Sequence, residues 1–305
     1  MLRASLPERE PHQYIQGTPP RRRTASRGSE KESMNTSMLR ARHPGFFRVF
    51  FALFFLFSAA SVAAAGAVPV PVGLDKAKVS GTSADAKAEA FLGLPYRVDG
   101  ALNEKGEYTL FADQDKGFST PGLNCSGLVL ALSRFLLDRN VTLAQALRDR
   151  LGDSGPESAH GEDWDFGWDL ILNISEGFPR RFLLPGGTSM DPAGTTGFSP
   201  RGYDIHTEET WRELPARLTP GHMYLVSLNV EDRRKGYGLQ HYHVGLVHVA
   251  STGQAWFYQT TGKGGGVNRR DLKTPKGRES FKRAFANNGK TRKMMLVLEV
   301  DLPRR

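Results

Sequence analysis

The sequence predicts an α+β fold, because helical patterns come first and a set of strands expected to be antiparallel follows, without the strand–helix alternation that builds a doubly wound sheet. Two observations carry this. A long apolar run opens at Cys125 and places Leu128, Leu132, Phe135 and Leu136 on one helical face. Beyond residue 222 the period changes, and β-branched and aromatic segments read as strands.

The elements follow in order. Residues Ser83 to Leu92 are rich in good helix formers and closed by Gly93 and Pro95, so a helix is predicted there. Residues 100–123 read as loop. The helix from Cys125 has the apolar density of a buried element, and Pro121, Gly122 and Asn124 precede its first turn. Thr142, with Gln145 three positions on, forms a capping box that predicts a helix over Leu143–Leu151, ended by Gly152. Residues 153–205 read as a long irregular insertion, of the kind that forms lids or rims; its Trp164 and Trp168 could line a sugar-stacking rim, but core packing is the more frequent fate of paired tryptophans. A helix over Thr207–Leu218 precedes strands at Met223–Val230, His243–Ala250, Ala255–Thr261 and Met294–Leu302. The glycines from Gly262 to Gly266 follow a strand and lack the spacing of a phosphate loop, which makes them a turn.

The amino-terminal region is of another kind. Residues 1–45 are basic and rich in Ser, Thr, Pro and Gly, a composition that cannot bury enough surface to fold. From Phe46 an apolar core, small residues at Ala63, Ala65 and Ala67, and Val68-Pro69-Val70-Pro71 succeed one another in signal-peptide order. Residues 46–67 are therefore expected to direct export to the periplasm or cell envelope, with 68–305 as the mature domain. An uncleaved anchor is the competing reading, against which a spanning helix needs ~20 apolar residues and Arg48 interrupts the run. Met34 and Met38 both precede this segment, so residues 1–33 or 1–37 read as an overextended reading frame.

Removing the leader also changes the charge. Of 41 basic and 32 acidic residues, ten and four lie in 1–67, which leaves 31 against 28 and a net of +3. The basic composition then no longer argues for nucleic acid, although a mild attraction to anionic wall polymer survives. A single cysteine excludes a disulfide framework and a cysteine-based zinc site within a monomer. His206, His222 and His248 are too scattered to suggest a metal, so no cofactor is expected. In an oxidising compartment a lone thiol is either buried or used.

Use is the sharper expectation. The start of a helix stabilises a thiolate through unpaired N–H groups and the helix dipole, and the same N–H groups can hold a tetrahedral oxyanion. Cys125 occupies that position, and of the eight histidines His243 is the best placed to serve as its base. His241, two residues earlier on the same strand face, could exchange roles with it.

Four stretches in order, Ala90 to Tyr96, Asn124 to Val129, Leu218 to Met223 and His243 to Val247, make residues 83–261 resemble the NlpC/P60 family of papain-like peptidases. The resemblance implies a papain-like fold with amino-terminal helices packed on an antiparallel sheet. It implies Cys125 as nucleophile, His243 as base and Gln259 as the residue orienting the imidazole. Tyr96, Asn124 and Ser126 fall at its oxyanion and substrate-contacting positions, where Asn124 departs from the family's usual aspartate. The implied activity is hydrolysis of amide bonds in peptidoglycan stem peptides, by a monomer with no nucleic-acid partner and no membrane contact beyond the signal segment. The alternatives are an inactive wall-binding module on the same fold and a papain-like acyltransferase.

Overall fold

The computed structural model describes residues 67–155, 163–232, 237–287 and 291–303. The basic segment 1–45 and residues 46–66 of the expected signal segment lie outside them. Within the described residues no helix is long and apolar enough to cross a membrane.

The chain is a mixed α+β protein built on an antiparallel sheet. Two short helices, α1 (Lys76–Ser80) and α2 (Ala84–Glu89), begin it, capped by the side chains of Asp75 and Ser83. A hairpin of β1 (Gly100–Leu102) and β2 (Tyr108–Leu110) follows, then α3 (Cys125–Leu137), α4 (Leu143–Ala146) and α5 (Phe166–Ile174). Next come β3 (Arg180–Leu183), β4 (Ser189–Met190), β5 (Tyr203–Asp204) and α6 (Glu208–Arg217). The carboxy-terminal part holds β6 (His222–Asp232), β7 (Tyr237–Val249), β8 (Ala255–Thr261), β9 (Gly266–Asp271), α7 (Pro275–Ala284) and β10 (Lys293–Asp301). The main sheet runs β4-β3-β10-β6-β7-β8-β9, with β5 also on β10, and every pairing in it is antiparallel.

Both faces of this sheet are covered, which is why β6 and β10 read as nearly continuous apolar runs. On one face α3 and α5 bring Leu128, Leu132, Phe135, Trp168 and Ile171 against Leu225, Val244, Leu246 and Leu298. On the other, α6 and α7 bring Trp211, Leu214 and Phe281 against Val226, Val247, Phe257 and Val297. Alternate residues of each strand thus face alternate layers, as the two-residue period demands. In α3 every residue except Cys125 is buried. Its far end is closed by Asp138 in the left-handed region (φ 49°) and by the buried Lys87, whose ammonium donates to the Phe135 carbonyl at 2.8 Å and pairs with Asp138 at 2.9 Å. The buried Arg134 donates to the carbonyls of Val141, Leu102 and Asn103 at 2.7, 2.7 and 2.9 Å, binding the β1–β2 hairpin to the helix.

Several expectations need correction. Residues 100–123 are not all loop: Asn103 and Gly106 turn the chain so that Gly100–Leu102 pairs with Tyr108–Leu110. Strands of three residues are too short to show a period. The Thr142–Gln145 capping box forms, with both of its hydrogen bonds, but its helix stops at Ala146. Asp149 ends it by drawing the N–H groups of Leu151, Gly152 and Ser154 onto its carboxylate. Most consequentially, 153–205 is not an irregular insertion. It supplies α5 to the core and β3, β4 and β5 to the sheet, while Trp164 and Trp168, each 1% exposed, are core, the commoner fate of such a pair. Helix α7 and strand β9 were not anticipated.

Candidate active site

The site is built where two strands part. The β7–β8 ladder runs only from Val249/Ala255 to Leu246/Tyr258. Beyond that point β7 stays with β6 through His243, and β8 stays with β9 through Thr261. The first turn of α3 packs against both strands at this opening.

Local sequence explains how the helix start comes so close. Asn124 is the N-cap, its Oδ1 accepting from the Gly127 N–H at 2.7 Å, while its own N–H donates to the Gly100 carbonyl at 2.9 Å. Gly127 lies against the same carbonyl, and a Cβ there would come within 2.1 Å of it. A glycine is needed at this position for the helix to dock on β1. The cap and the docking together leave the N–H groups of Cys125 and Ser126 in the first turn without helical acceptors.

Cys125 is half-buried at this helix start. Burial alone pushes its thiol up, but the charge of His243, the His243 hydrogen bond, the Val244 N–H and the Ser126 hydroxyl outweigh it and bring the thiol down to about 7. Val244, whose N–H contributes to this lowering, lies just beyond the last β7–β8 pair. The Ser126 hydroxyl lies 3.9 Å from Sγ and is fully buried. His243 Nε2 meets Gln259 Oε1 at 3.1 Å, and since a carboxamide oxygen only accepts, Nε2 carries the hydrogen and Nδ1 is left for the sulfur. Phe285 packs on the imidazole, ring centres 5.2 Å apart.

The structure therefore brings Cys125, His243 and Gln259 together, from α3, β7 and β8. Tyr96 joins them: an isolated bridge to Leu123 sets it alongside the helix start, and burial, then the charges of Cys125 and Asp99, hold its phenol protonated above the usual tyrosine range. A protonated phenol beside the sulfur is a hydrogen-bond donor for a developing oxyanion. Asn124 is buried, and its carboxamide oxygen is occupied by the cap, so the structure gives it a positioning part at the helix start.

His241 does not exchange roles with His243. A bulge at Tyr242 separates them, so His243 pairs with Leu228 and His241 with Asn229. His241 is fully buried, its Nε2 donates to the Gly197 carbonyl at 2.7 Å and its Nδ1 accepts from the Ser227 hydroxyl at 2.8 Å. Burial is the main cause that lowers it to about 4, and both nitrogens are engaged. Sequence reasoning missed the Val244 N–H, since a backbone donor has no residue-type signal. It also missed the close approach of Gly127 to Gly100, for which the only signal was a glycine inside a helical pattern.

A mixed α+β protein with a cysteine–histidine–glutamine constellation is what fold and site define. No family model matches the chain. No curated protein matches it either. Among solved structures it is similar to protein LPG0564 from Legionella pneumophila, described as DUF1460, at 14% identity and a TM-score of 0.41, over 72% of this chain and 88% of that one. The expected NlpC/P60 membership is corrected accordingly: no family model supports it, and the structural neighbour carries a different family description. The physical reason is that four short stretches specify a helix start and a strand, which unrelated chains also use to present a thiol and an imidazole.

Proposed function

We propose that this protein is an exported cysteine hydrolase that cleaves amide bonds, with the peptides of the bacterial cell wall as its substrates. The observation that carries the reading is the Cys125–His243–Gln259 arrangement, in which the thiol is held down at about 7 against the effect of its own burial. That is the condition for thiolate attack near neutral pH. The fold is papain-like in this reading, with the nucleophile opening a buried helix and the base on the sheet beneath it.

In the reaction the Cys125 sulfur adds to the substrate carbonyl. The N–H groups at the helix start and the Tyr96 hydroxyl receive the oxyanion, and the proton on His243 passes to the leaving amine. Water, deprotonated by the same imidazole, then attacks the thioester and frees the acid. Gln259 keeps the ring turned so that one nitrogen serves the sulfur throughout. No step uses a cofactor. Support for the wall as target comes from the signal-like order of residues 46–67 and the small net positive charge that follows them.

The test is digestion of wall sacculi by residues 68–305, with mass spectrometry of the released muropeptides. Wild type releases peptides and Cys125→Ala does not. Equal release by both refutes the proposal.

A further inference from the structure

Behind the site, helix α5 supports the strand that carries His243. The Trp164 carbonyl accepts from the His241 N–H at 2.7 Å. Gly167 lies so close to β6 and β7 that a Cβ would come within 3.0 Å of Ser227 Oγ, 3.1 Å of Val244 Cγ1 and 3.2 Å of the His241 carbonyl. The same segment carries an excess of buried negative charge that the proposed chemistry does not use.

Asp165 is the N-cap of α5, yet its side chain makes no capping bond. It is fully buried, Oδ1 accepts from the Ser154 hydroxyl at 2.6 Å, and Oδ2 has no hydrogen-bond partner. Asp169, one turn on and 4% exposed, receives only the Arg150 N–H, at 3.3 and 3.4 Å from its two oxygens. The turn after α4 faces this pair with Asp149, with Asp153, whose Oδ1 is likewise buried and unpartnered, and with the cation Arg150. From the sheet side, Ser227 and His241 bond to each other and offer the pair no charge. Among the described residues no three acidic or histidine side chains are arranged to hold a metal ion. Burial of two carboxylates this close in the chain, with Asp165 Oδ2 unpartnered, favours the protonated form.

We propose that Asp165 and Asp169 hold a proton between them at neutral pH, and that its loss at mildly alkaline pH loosens α5 from the strand bearing His243. Burial first, then the neighbouring carboxylates, raise Asp169 to about 8; burial, then Asp153 opposed by the Ser154 bond, raises Asp165 to about 6. Both lie above the ordinary 3.8, so between about pH 4 and pH 8 the folded protein binds protons that the unfolded chain has released. The contribution of this pair to stability therefore falls as pH rises through this window and levels off above about 8, while His241, lowered to about 4, and Cys125, lowered to about 7, contribute in the opposite sense. For one proton the folded-to-unfolded ratio falls by up to about tenfold per pH unit.

The consequence for catalysis rests on His243 being the base, but neither readout below needs turnover, so failure here and failure of wall hydrolysis are separate results. Chemical denaturation and amide exchange of the full chain from pH 5 to 9 test the proposal. Relative to Asp169→Asn, in which Cys125 and His241 titrate alike, the wild-type folded-to-unfolded ratio falls between pH 6 and 8, and the wild-type His241 amide, corrected for base catalysis, opens more often over the same range. The His241 amide of Asp169→Asn shows no such rise. Asp153→Asn, a less disruptive variant, moves the lower part of the fall to lower pH, because it removes a charge that raises Asp165. The same slope in wild type, Asp169→Asn and Asp153→Asn, or a His241 amide indifferent to pH in wild type, overturns the proposal.

Discussion

Replacing His243 by alanine should return Cys125 to an ordinary or worse nucleophile, and the size of the change follows from the site. With His243 present the thiol sits at about 7, against 9.0 for an unperturbed one, although burial pushes the other way. The difference amounts to about 3 kcal/mol of thiolate stabilisation. At pH 7 about half of the wild-type sulfur is thiolate, and at an ordinary value about 1% is. Removing the imidazole leaves the Val244 N–H and the Ser126 hydroxyl in place but also leaves the burial. The midpoint should rise by roughly two units. The rate at pH 7 falls less than the roughly 50-fold loss of thiolate, because a more basic thiolate is intrinsically more reactive by up to about tenfold. The midpoint of iodoacetamide alkylation against pH is accordingly the measurement of choice. Wild type should inflect near 7, alkylation rising as pH climbs through it, and His243→Ala near 9. His243→Gln, which keeps most of the packing against Phe285, should behave as the alanine variant does. A midpoint near 7 in either variant would mean that the helix start alone activates the sulfur, and the pairing with His243 would fall.

Gln259→Ala removes the acceptor on Nε2 but not the imidazole, so it should slow peptide release while moving the alkylation midpoint less than His243→Ala does. Gly127→Ala drives a methyl group into the Gly100 carbonyl; overpacking of this kind costs about 1–3 kcal/mol, visible in urea denaturation, and should also displace Cys125 and raise its alkylation midpoint. Asp85 joins α2 to the end of β7 through His248 at 2.6 Å and the Ser251 hydroxyl and N–H at 2.7 and 3.1 Å. Asp85→Ala should therefore lose about 1–3 kcal/mol at pH 7. Burial raises the Asp85 carboxyl, but the Ser251 and His248 bonds prevail and hold it below its ordinary 3.8, so the difference from wild type should shrink as acid denaturation is followed below that pH.

How far the sequence reveals this fold depends on what each element contributes to a visible period. Helix α3 and strands β6, β8 and β10 are long and apolar, and their predicted bounds differ from the observed ones by one or two residues at most ends. The hairpin strands β1 and β2 and the strands β3 to β5 are two to four residues long, and β3 and β5 pair with β10, distant in sequence. Such strands leave no local pattern. The two tryptophans near 164 read as core more readily than as rim from the sequence, and the structure buries both rings.

The active-site residues divide along the same line. Cys125 was legible because its chemistry depends on a local feature, a cap followed by an apolar helix, and that feature is written in Asn124, Gly127 and Leu128. His243 was legible as one of two candidates, because strand alternation cannot separate residues two apart. What separates them is a bulge at Tyr242 and the end of the β7–β8 ladder at Leu246, both properties of paired strands. The parting of β7 from β8 opens room beside the start of α3 and leaves the Val244 N–H outside the β7–β8 ladder, where it contributes to lowering the Cys125 thiol. Closing that gap would restore ladder bonds and exclude the nucleophile. The placement of Cys125 and the interruption of the sheet are therefore one structural feature, and the packing of α5 behind β7 bears directly on it.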